Sequence, residues 1–420
     1  MSHHTRILLA LIVGAVAGVI TNVVTDGGES TKRFVSVTTE PVGRMWLSAL
    51  IMTVVPLIMT SLPLGVAGLG DLRAVGRVGV VTFALCLLLT TVSAMIALGL
   101  TNAFRPGDGL DPAMRTELMS AYGGEAQNAA GLSGKELSLD MLVKVVPRNP
   151  VKAAAEGDML AIIFFSLMLG IAIAALPREK SAAFSAFLES FGYVTVEIIH
   201  LVMKLAPIGV FCLIFSVTAR FGFDLLIHLF KYVILVIGGL ALMMTVVYGV
   251  VLKFAANRNP IDFMKRVRVV IVTAFSTSSS NATLPTALDV AQTELGIRKS
   301  VAGFVLPLGA TMNQNGTSLF EGVTVLFLAQ VFGIDLSLGQ QILVIIMSVI
   351  TALGAAGVPG GSIPLLILVL AMFGIPPEGI AIVLGVDRIL DMCRTVVNVI
   401  GDIVIACIVD RMEIARAPSA

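Results

Sequence analysis

Charge is what this sequence has least of. Only 13% of its 420 residues are Asp, Glu, Lys or Arg, and the 28 basic and 27 acidic side chains nearly cancel. A soluble domain is about 25% charged, so this poverty excludes a soluble globular enzyme and a disordered chain. A net charge of +1 offers no long-range field to a polyanion, which excludes a nucleic-acid binder. Aromatic residues are also few, at 6% with a single Trp. The four cysteines, Cys86, Cys212, Cys393 and Cys407, lie in apolar runs without ligand spacing. They read as small core residues rather than as a disulfide framework or a metal site. No His-Glu-x-x-His helix and no P-loop are present, which argues against a zinc protease and an ATP-driven pump. His3, His4, His200 and His228 form no cluster in the sequence. What is abundant is apolar: 57% of the chain, with 40 Gly and 17 Pro scattered through it. Breakers scattered through apolar runs suggest broken membrane helices, because no low-complexity stretch gathers them into linkers.

A helix crosses the hydrocarbon core with about 20 mostly apolar residues. Runs that meet this cover roughly 7–24, 45–69, 78–104, 159–176, 191–219, 225–255, 300–334 and 379–409. The first reads as a retained span, since it lacks a small-residue cleavage site. If spans alternate, Arg6, Arg73, Arg77, Arg178, Lys180, Lys253, Arg258, Lys265, Arg266, Arg268, Arg298, Lys299 and Arg411 fall on one side. The acidic, Gly-rich segment 105–146 falls on the other. Basic loops favour the cytoplasm, so both termini are expected there. The count closes only if 260–297 and 335–372 enter the membrane and return. Each has two apolar arms too short to span, separated by small polar or breaking residues: Ser276–Thr283 in the first, Gly354–Ser362 in the second. Irregular backbone at membrane depth is tolerated only where protein buries it or it lines a watery cavity. The two hairpins therefore point to a shared central site. Hairpin–helix followed by hairpin–helix reads as an inverted repeat.

The last span carries Asp387, Asp391, Arg394, Thr395, Asn398 and Asp402, all at offsets that share one helical face. An ionisable group at the centre of a span costs about 2.5–3.5 kcal/mol on insertion scales, and such groups usually face a pathway or a partner. The plain alternative is a salt-bridge ladder that only fastens helices. Arg394 offers a planar fork for a carboxylate, Asp391 can accept an ammonium, and Thr395 and Asn398 can bond the same ligand. The serine-rich tip, with Ser278 and Ser280, offers hydroxyls and free backbone N–H groups. Together these suit a zwitterion with an extra carboxylate. Asp402, two turns beyond Arg394, is better placed for a cation. The seventh span contains Thr311-Met312-Asn313-Gln314-Asn315-Gly316-Thr317-Ser318 and then Glu321. Asn and Gly in mid-span invite unwinding, which exposes carbonyls suited to Na⁺ or a polar substrate; the alternative is hydrogen-bond glue between helices. Away from water a carboxylic acid favours its neutral form. Glu321 is thus either a proton carrier or one half of a standing ion pair with Arg394 or another base.

At these residues the chain resembles the glutamate transporter family, the dicarboxylate/amino acid:cation symporters, over nearly its whole length. The motifs are the serine-rich tip followed by Ala282-Thr283-Leu284-Pro285, the stretch Asn313–Thr317, Ala356-Gly357-Val358-Pro359-Gly360, and Asp391-Met392-Cys393-Arg394-Thr395 with Asn398 and Gly401-Asp402. Pro147-Arg148-Asn149-Pro150 is similar to the family's approach to span four. The resemblance implies an all-α polytopic membrane protein with eight transmembrane helices and two re-entrant hairpins, working as an elevator and assembled as a homotrimer. Spans one and two (1–75) and four and five (147–219) would be the static scaffold. Span three (77–104) and residues 223–412 would move: span six, hairpin one at about 260–297, span seven at about 298–334, hairpin two at about 335–372 and span eight at about 378–410. Residues 105–146 would be an extracellular loop and 413–420 a cytoplasmic tail. The implied substrate site is Asp391 for the amino group, Arg394 for the side-chain carboxylate, then Thr317, Thr395, Asn398, the backbone near Ser278 and Ser280, and that of Val358. An aspartate or glutamate substrate follows, with the plasma (inner) membrane as location. The C4-dicarboxylate members lack an Asp at the Asp391 position, and neutral amino acid members commonly lack the Arg.

The departures bear on the coupling ion. The family's Asn-Met-Asp-Gly-Thr reads Asn313-Gln314-Asn315-Gly316-Thr317 here, so one sodium site loses its anion, and Leu87, with Thr90 and Thr91, stands where a Tyr lines that site. Losing the anion of a buried cation site removes its strongest attraction. Ala352 and Ala355 replace hydroxylated residues near a second sodium site. Only Asn313, Asn398 and Asp402 keep the polar ligands of a possible residual Na⁺ site. Glu321 aligns with the proton-carrying glutamate of mammalian members. The expectation is a proton-coupled importer of acidic amino acids, with no other cofactor; the alternative is sodium coupling through Asp402, and the alternative of another class is an anion channel. Neither arginine that other members place opposite the acidic residues, at Ser278 or near Cys393, is present. Gly68-Leu69-Gly70-Asp71 matches the Gly-x-Gly-Asp pattern of intramembrane proteases, but its Tyr-Asp partner is missing and Gly is an ordinary helix cap there.

Overall fold

The computed structural model describes residues 3–26, 28–75, 77–110, 115, 116, 118, 119, 146–156, 159–355, 357 and 359–414. Most of the expected loop at 105–146, and Val358, lie outside the described residues. Among them the secondary structure is helical, with no strand.

Apolar length makes the spans, and breakers divide them. The first span is α1 (His3–Thr25). A short amphipathic helix, α2 (Glu29–Val37), leads into α3 (Thr39–Ile51) and α4 (Val54–Val75), which together form the second. Span three is α5 (Arg77–Phe104). After α6 (Pro150–Glu156) comes α7 (Met159–Ala175). The fifth apolar run differs from expectation. Its first part belongs to a longer helix, α8 (Arg178–Lys204), and the chain breaks at Leu205 before α9 (Ala206–Phe221). Pro207 favours the break: it has no N–H to give and sits in the first turn of α9, where that N–H is not needed. Span six runs through α10 (Asp224–Leu242), a π-helical segment (Met243–Val247) and α11 (Tyr248–Phe254).

Both hairpins are helix–break–helix. The first is α12 (Pro260–Arg266), α13 (Arg268–Thr277) and α14 (Ser280–Thr293). Asn259 caps its entry by accepting from the Ile261 and Asp262 N–H groups. At the tip Ser278 takes a left-handed conformation, φ 49° and ψ 33°, and Ser279 caps α14 by accepting from the Ala282 N–H. The second hairpin is α17 (Leu338–Gly354) and α18 (Ile363–Met372), opened by a capping box of Ser337 and Gln340. Span seven is divided, as its Asn and Gly residues predict, into α15 (Lys299–Met312) and α16 (Asn315–Phe332), with Asn313 and Gln314 unwound between them.

The last helix, α19 (Ala381–Ile414), is the axis of the molecule. Its apolar window is 89% buried inside the protein, against 18% for α1. It packs against α13 and α14 of the first hairpin and against both halves of span seven. In the outer layer α1 lies along α9, and α4 along α7. The helix that carries the charged stripe is thus largely enclosed, whereas α1 exposes apolar side chains such as Ile12, Val16 and Ile20.

Candidate functional site

The two hairpin tips meet beside α19. The Ser279 hydroxyl donates to the Gly357 carbonyl at 2.7 Å, and the Asn281 N–H donates to the same oxygen at 3.3 Å. Ser278 and Ser280 are buried here, and Ser278 Oγ has no protein partner. A non-glycine residue in the left-handed region is held there by its surroundings. The sequence expectation that the two breaks share one place is met by this contact.

Asp387, Asp391 and Arg394 come together on α19 as the periodicity predicts. Arg394 Nη2 donates to Asp391 Oδ1 at 2.8 Å and to Asp387 Oδ1 at 3.1 Å. The guanidinium stacks on Phe320 of α16, 3.8 Å from the ring centre. Its Nε and Nη1 are buried and have no hydrogen-bond partner. Asp391 also receives Arg388 Nη1 at 3.4 Å and the Gly360 N–H of the second hairpin at 3.3 Å. Arg388 supplies the balance that the sequence comparison did not find. Two arginines face two aspartates, so the cluster is formally neutral. The stripe arithmetic missed Arg388 because it stands one residue, about 100° of helix, from Asp387. Its spacing to Asp391, three residues, was the available signal. A cavity of about 10 Å³ borders the cluster, lined by Trp46, Met203 and Ala206 from the outer layer and by Asp387, Arg388 and Asp391.

Thr395 and Asn398 share the face but not the partner. The Thr395 hydroxyl donates to its own helix at the Asp391 carbonyl, 2.9 Å away. Asn398 ties α19 to the break in span seven. Its Oδ1 accepts from the Gly316 N–H at 2.7 Å, and its Nδ2 donates to Gln314 Oε1 at 2.5 Å and to Thr317 Oγ1 at 3.3 Å. A Cβ at Gly316 would meet the Arg394 carbonyl at 2.6 Å, so only glycine lets α16 begin this close to α19.

One turn deeper, Asn313 Nδ2 donates to Asp402 Oδ1 at 2.8 Å, while Asn313 Oδ1 is buried without a partner. An amide N–H, rather than an oxygen, therefore faces the Asp402 carboxylate. Asn313 also reaches the Asn398 carbonyl at 3.4 Å, while the Asn398 side chain is held at the break in span seven. No cluster of three His, Cys, Asp or Glu suited to a resident metal occurs among the described residues.

Around Asn315 the geometry is different. Its Oδ1 lies 2.8 Å from Thr90 Oγ1, its Nδ2 donates to Tyr248 Oη at 2.8 Å, and Tyr248 donates to the Val397 carbonyl at 3.0 Å. Ser93 bonds the Asn315 carbonyl at 2.7 Å. Of the three residues expected on span three, only Thr90 reaches this place with its side chain. Leu87 is 38% exposed, and the partly exposed Thr91 hydroxyl donates to the Leu87 carbonyl of its own helix. Tyr248 is the residue that sequence reasoning missed; it is one of four tyrosines and stands directly after the π-helical segment. A Cβ at Gly401 would meet Tyr248 Oη at 2.5 Å, which explains the small residue there.

Glu321 is fully enclosed on α16. Its Oε2 lies 2.5 Å from the Thr351 hydroxyl of the second hairpin, and its Oε1 has no partner. No ion pair joins it to Arg394: that side chain's carboxylate partners are Asp387 and Asp391.

Comparison with known proteins agrees with this geometry. The family model described as the sodium:dicarboxylate symporter family matches residues 4–412. A proton/sodium-glutamate symport protein of Bacillus subtilis (strain 168) is 35% identical, covering 96% of this chain and 92% of the relative. A proton/glutamate-aspartate symporter of Escherichia coli (strain K12) is 34% identical, with 97% and 92% covered. A C4-dicarboxylate transport protein of Bacillus subtilis (strain 168) is 33% identical, with 97% and 93% covered. With a helical multi-pass architecture, paired hairpin tips and a buried charged cluster between them, this chain belongs to the sodium:dicarboxylate symporter family and is a membrane transporter rather than an enzyme.

Proposed function

We propose that this protein imports an acidic amino acid, aspartate or glutamate, coupled to protons. One observation carries the substrate reading: Arg394 keeps two buried donors, Nε and Nη1, without partners beside Asp391. Buried donors left unmade cost about 1–3 kcal/mol each, and a carboxylate offers the oxygens that answer them. Asp391 accepts the substrate ammonium. A dicarboxylate without an amino group would place a second carboxylate against Asp391, so the acid favours the amino acid over C4 dicarboxylates. Ser278, Ser280, Thr317, Thr395 and Asn398 complete the pocket in this reading. Glu321 carries the proton. It has no standing cation partner, and its nearest polar neighbour is a hydroxyl. The site expected at Asn315 is filled by neutral hydrogen bonds rather than by an anion. The substrate, its proton and the hairpins cross as one body, elevator fashion, within a homotrimer whose termini face the cytoplasm of the inner membrane.

A second reading, sodium coupling, rests on the orphaned Asn313 Oδ1 beside Asp402. Liposomes holding the purified protein separate the two. Labelled L-aspartate uptake is followed under an inward proton gradient with choline replacing Na⁺, and under an inward Na⁺ gradient at constant pH. Uptake in the first condition is expected. Uptake only in the second would hand the coupling to the Asp402 site, and stereoselective exchange of internal for external substrate distinguishes a carrier from an anion channel.

A further inference from the structure

Three acceptors surround the single hydroxyl proton of Thr351, the most distant being the Ser348 carbonyl at 3.3 Å. Thr351 Oγ1 is 2.5 Å from Glu321 Oε2 and 2.7 Å from the carbonyl of Met347, one turn back on the same helix. A hydroxyl donates once and accepts twice. If Glu321 is ionised, Thr351 must choose. Donating to the carboxylate strips the Met347 carbonyl of its hydroxyl bond, and the charge still has one oxygen, Oε1, with nothing to bond. If Glu321 is protonated, both contacts are made at once: the Glu321 O–H donates to Thr351 Oγ1, and the Thr351 O–H donates to Met347. The neutral acid is thus the form that lets both contacts be made at once.

The other neighbours of Glu321 do not replace this bond. On α19, Arg394 is the facing cation, already bonded to Asp387 and Asp391, with Arg388 on Asp391. From α10, Tyr232 bonds Thr324, His228 bonds the Pro106 carbonyl, and Asp224 and Lys231 are that helix's remaining charged residues. Along α17 and α18 there is no charged residue, and in α5 only Arg77, at its start.

Thr351 belongs to the second hairpin and Glu321 to span seven, so their bond exists only while the hairpin is seated on that span. On its far side Thr351 lines a cavity of about 10 Å³ with Ile58, Ser61 and Leu62 of α4 and Ile163 of α7. The hydroxyl therefore sits at the seam between the moving hairpin and the outer layer.

We propose that Thr351 is a positioning residue for the proton carrier: it holds Glu321 in its neutral form and makes protonation a condition for seating the second hairpin. A proton from water on one side adds to the Glu321 carboxylate, the hairpin seats through the Glu321–Thr351–Met347 chain, and the same proton returns to water on the other side when the hairpin lifts. The inference rests on the proton-coupled reading above and adds the residue that links proton to gate.

The test uses the full-length protein in liposomes. Initial rates of labelled L-aspartate uptake are measured from mildly acidic to mildly alkaline external pH. T351V keeps the branched shape and removes the hydroxyl; T351S keeps the hydroxyl. Expected is a T351V profile that falls earlier as pH rises, with about a tenfold loss on the alkaline side relative to the acidic side, the scale of one buried hydrogen bond. T351S should follow the wild type, and T351V should change nothing further in an E321Q background. Aspartate exchange at acidic pH should survive in T351V, which shows that it is folded. A T351V profile that overlays a pH-dependent wild type, or T351V and E321Q effects that add, would overturn this inference alone. A wild type whose uptake ignores pH would overturn the proton-coupled function as well.

Discussion

Two buried polar clusters lie against the same helix and are finished differently. Around Asn315 both side-chain atoms lie within hydrogen-bond distance of a partner, Thr90 (whose proton also faces the Cys86 carbonyl) and Tyr248, and none of the groups is charged. Around Arg394 two aspartates and two arginines meet, yet the guanidinium keeps two unanswered donors and nearby Glu321 one unanswered oxygen. Satisfied networks rigidify a core, and each buried atom left unsatisfied is costly and calls for an explanation. The contrast is between a neutral network without unanswered atoms and a charged one that keeps donors free for the proposed substrate.

The largest expected effect attacks the open cluster. Arg394→Ala leaves Asp387 and Asp391 buried without their shared cation, a loss of about 3–5 kcal/mol. It should abolish aspartate uptake and lower the melting temperature; Arg394→Lys should restore much of the stability but little of the uptake, because the fork is gone. Retained uptake in the alanine variant would remove Arg394 from the site. Glu321→Gln should leave aspartate exchange in place and flatten the pH profile. If uptake is proton-driven as proposed, the wild-type rate should fall as external pH rises, since fewer carriers are loaded, and the glutamine should remove that slope. A slope that persists would move the proton elsewhere.

Substitutions in the closed cluster invert the logic. Asn315→Asp puts an unpaired charge among neutral partners and should destabilise the protein in choline by about 1–3 kcal/mol. If this network occupies a former cation site, NaCl should recover that loss, read as a sodium-dependent melting temperature absent from the wild type. No recovery would mean that the geometry for a cation is gone as well as its charge. Smaller still is Tyr248→Phe, which removes one hydroxyl and should lower stability by about 1 kcal/mol while uptake and its pH profile stay unchanged. A change of pH profile there would join the two clusters that the structure holds apart.

Much of this was legible beforehand, for reasons that particular residues show. A stripe at helical spacing must share a face, so Asp387, Asp391 and Arg394 could be placed together from their numbers alone. Asn313 to Gly316 in mid-span forecast the break that the structure places there. Side-chain direction across helices was not legible. Leu87 and Thr90 are three residues apart on one helix, yet only Thr90 meets Asn315, because the rotation of α5 about its axis is set by its packing against α16. Thr351 carries no signal in the sequence, being a threonine in an apolar arm. Only the fold of the second hairpin brings it to Glu321.

The sequence by itself determined the class, the spans, the two breaks and the charged stripe, because these follow from hydropathy and periodicity along one chain. The tertiary structure alone decided which polar groups satisfy one another: Arg388 with Asp391, Tyr248 with Asn315, Thr351 with Glu321. Hydrogen bonds depend on distance and direction between separate helices, and nothing in the order of residues along a helix fixes its rotation against its neighbours.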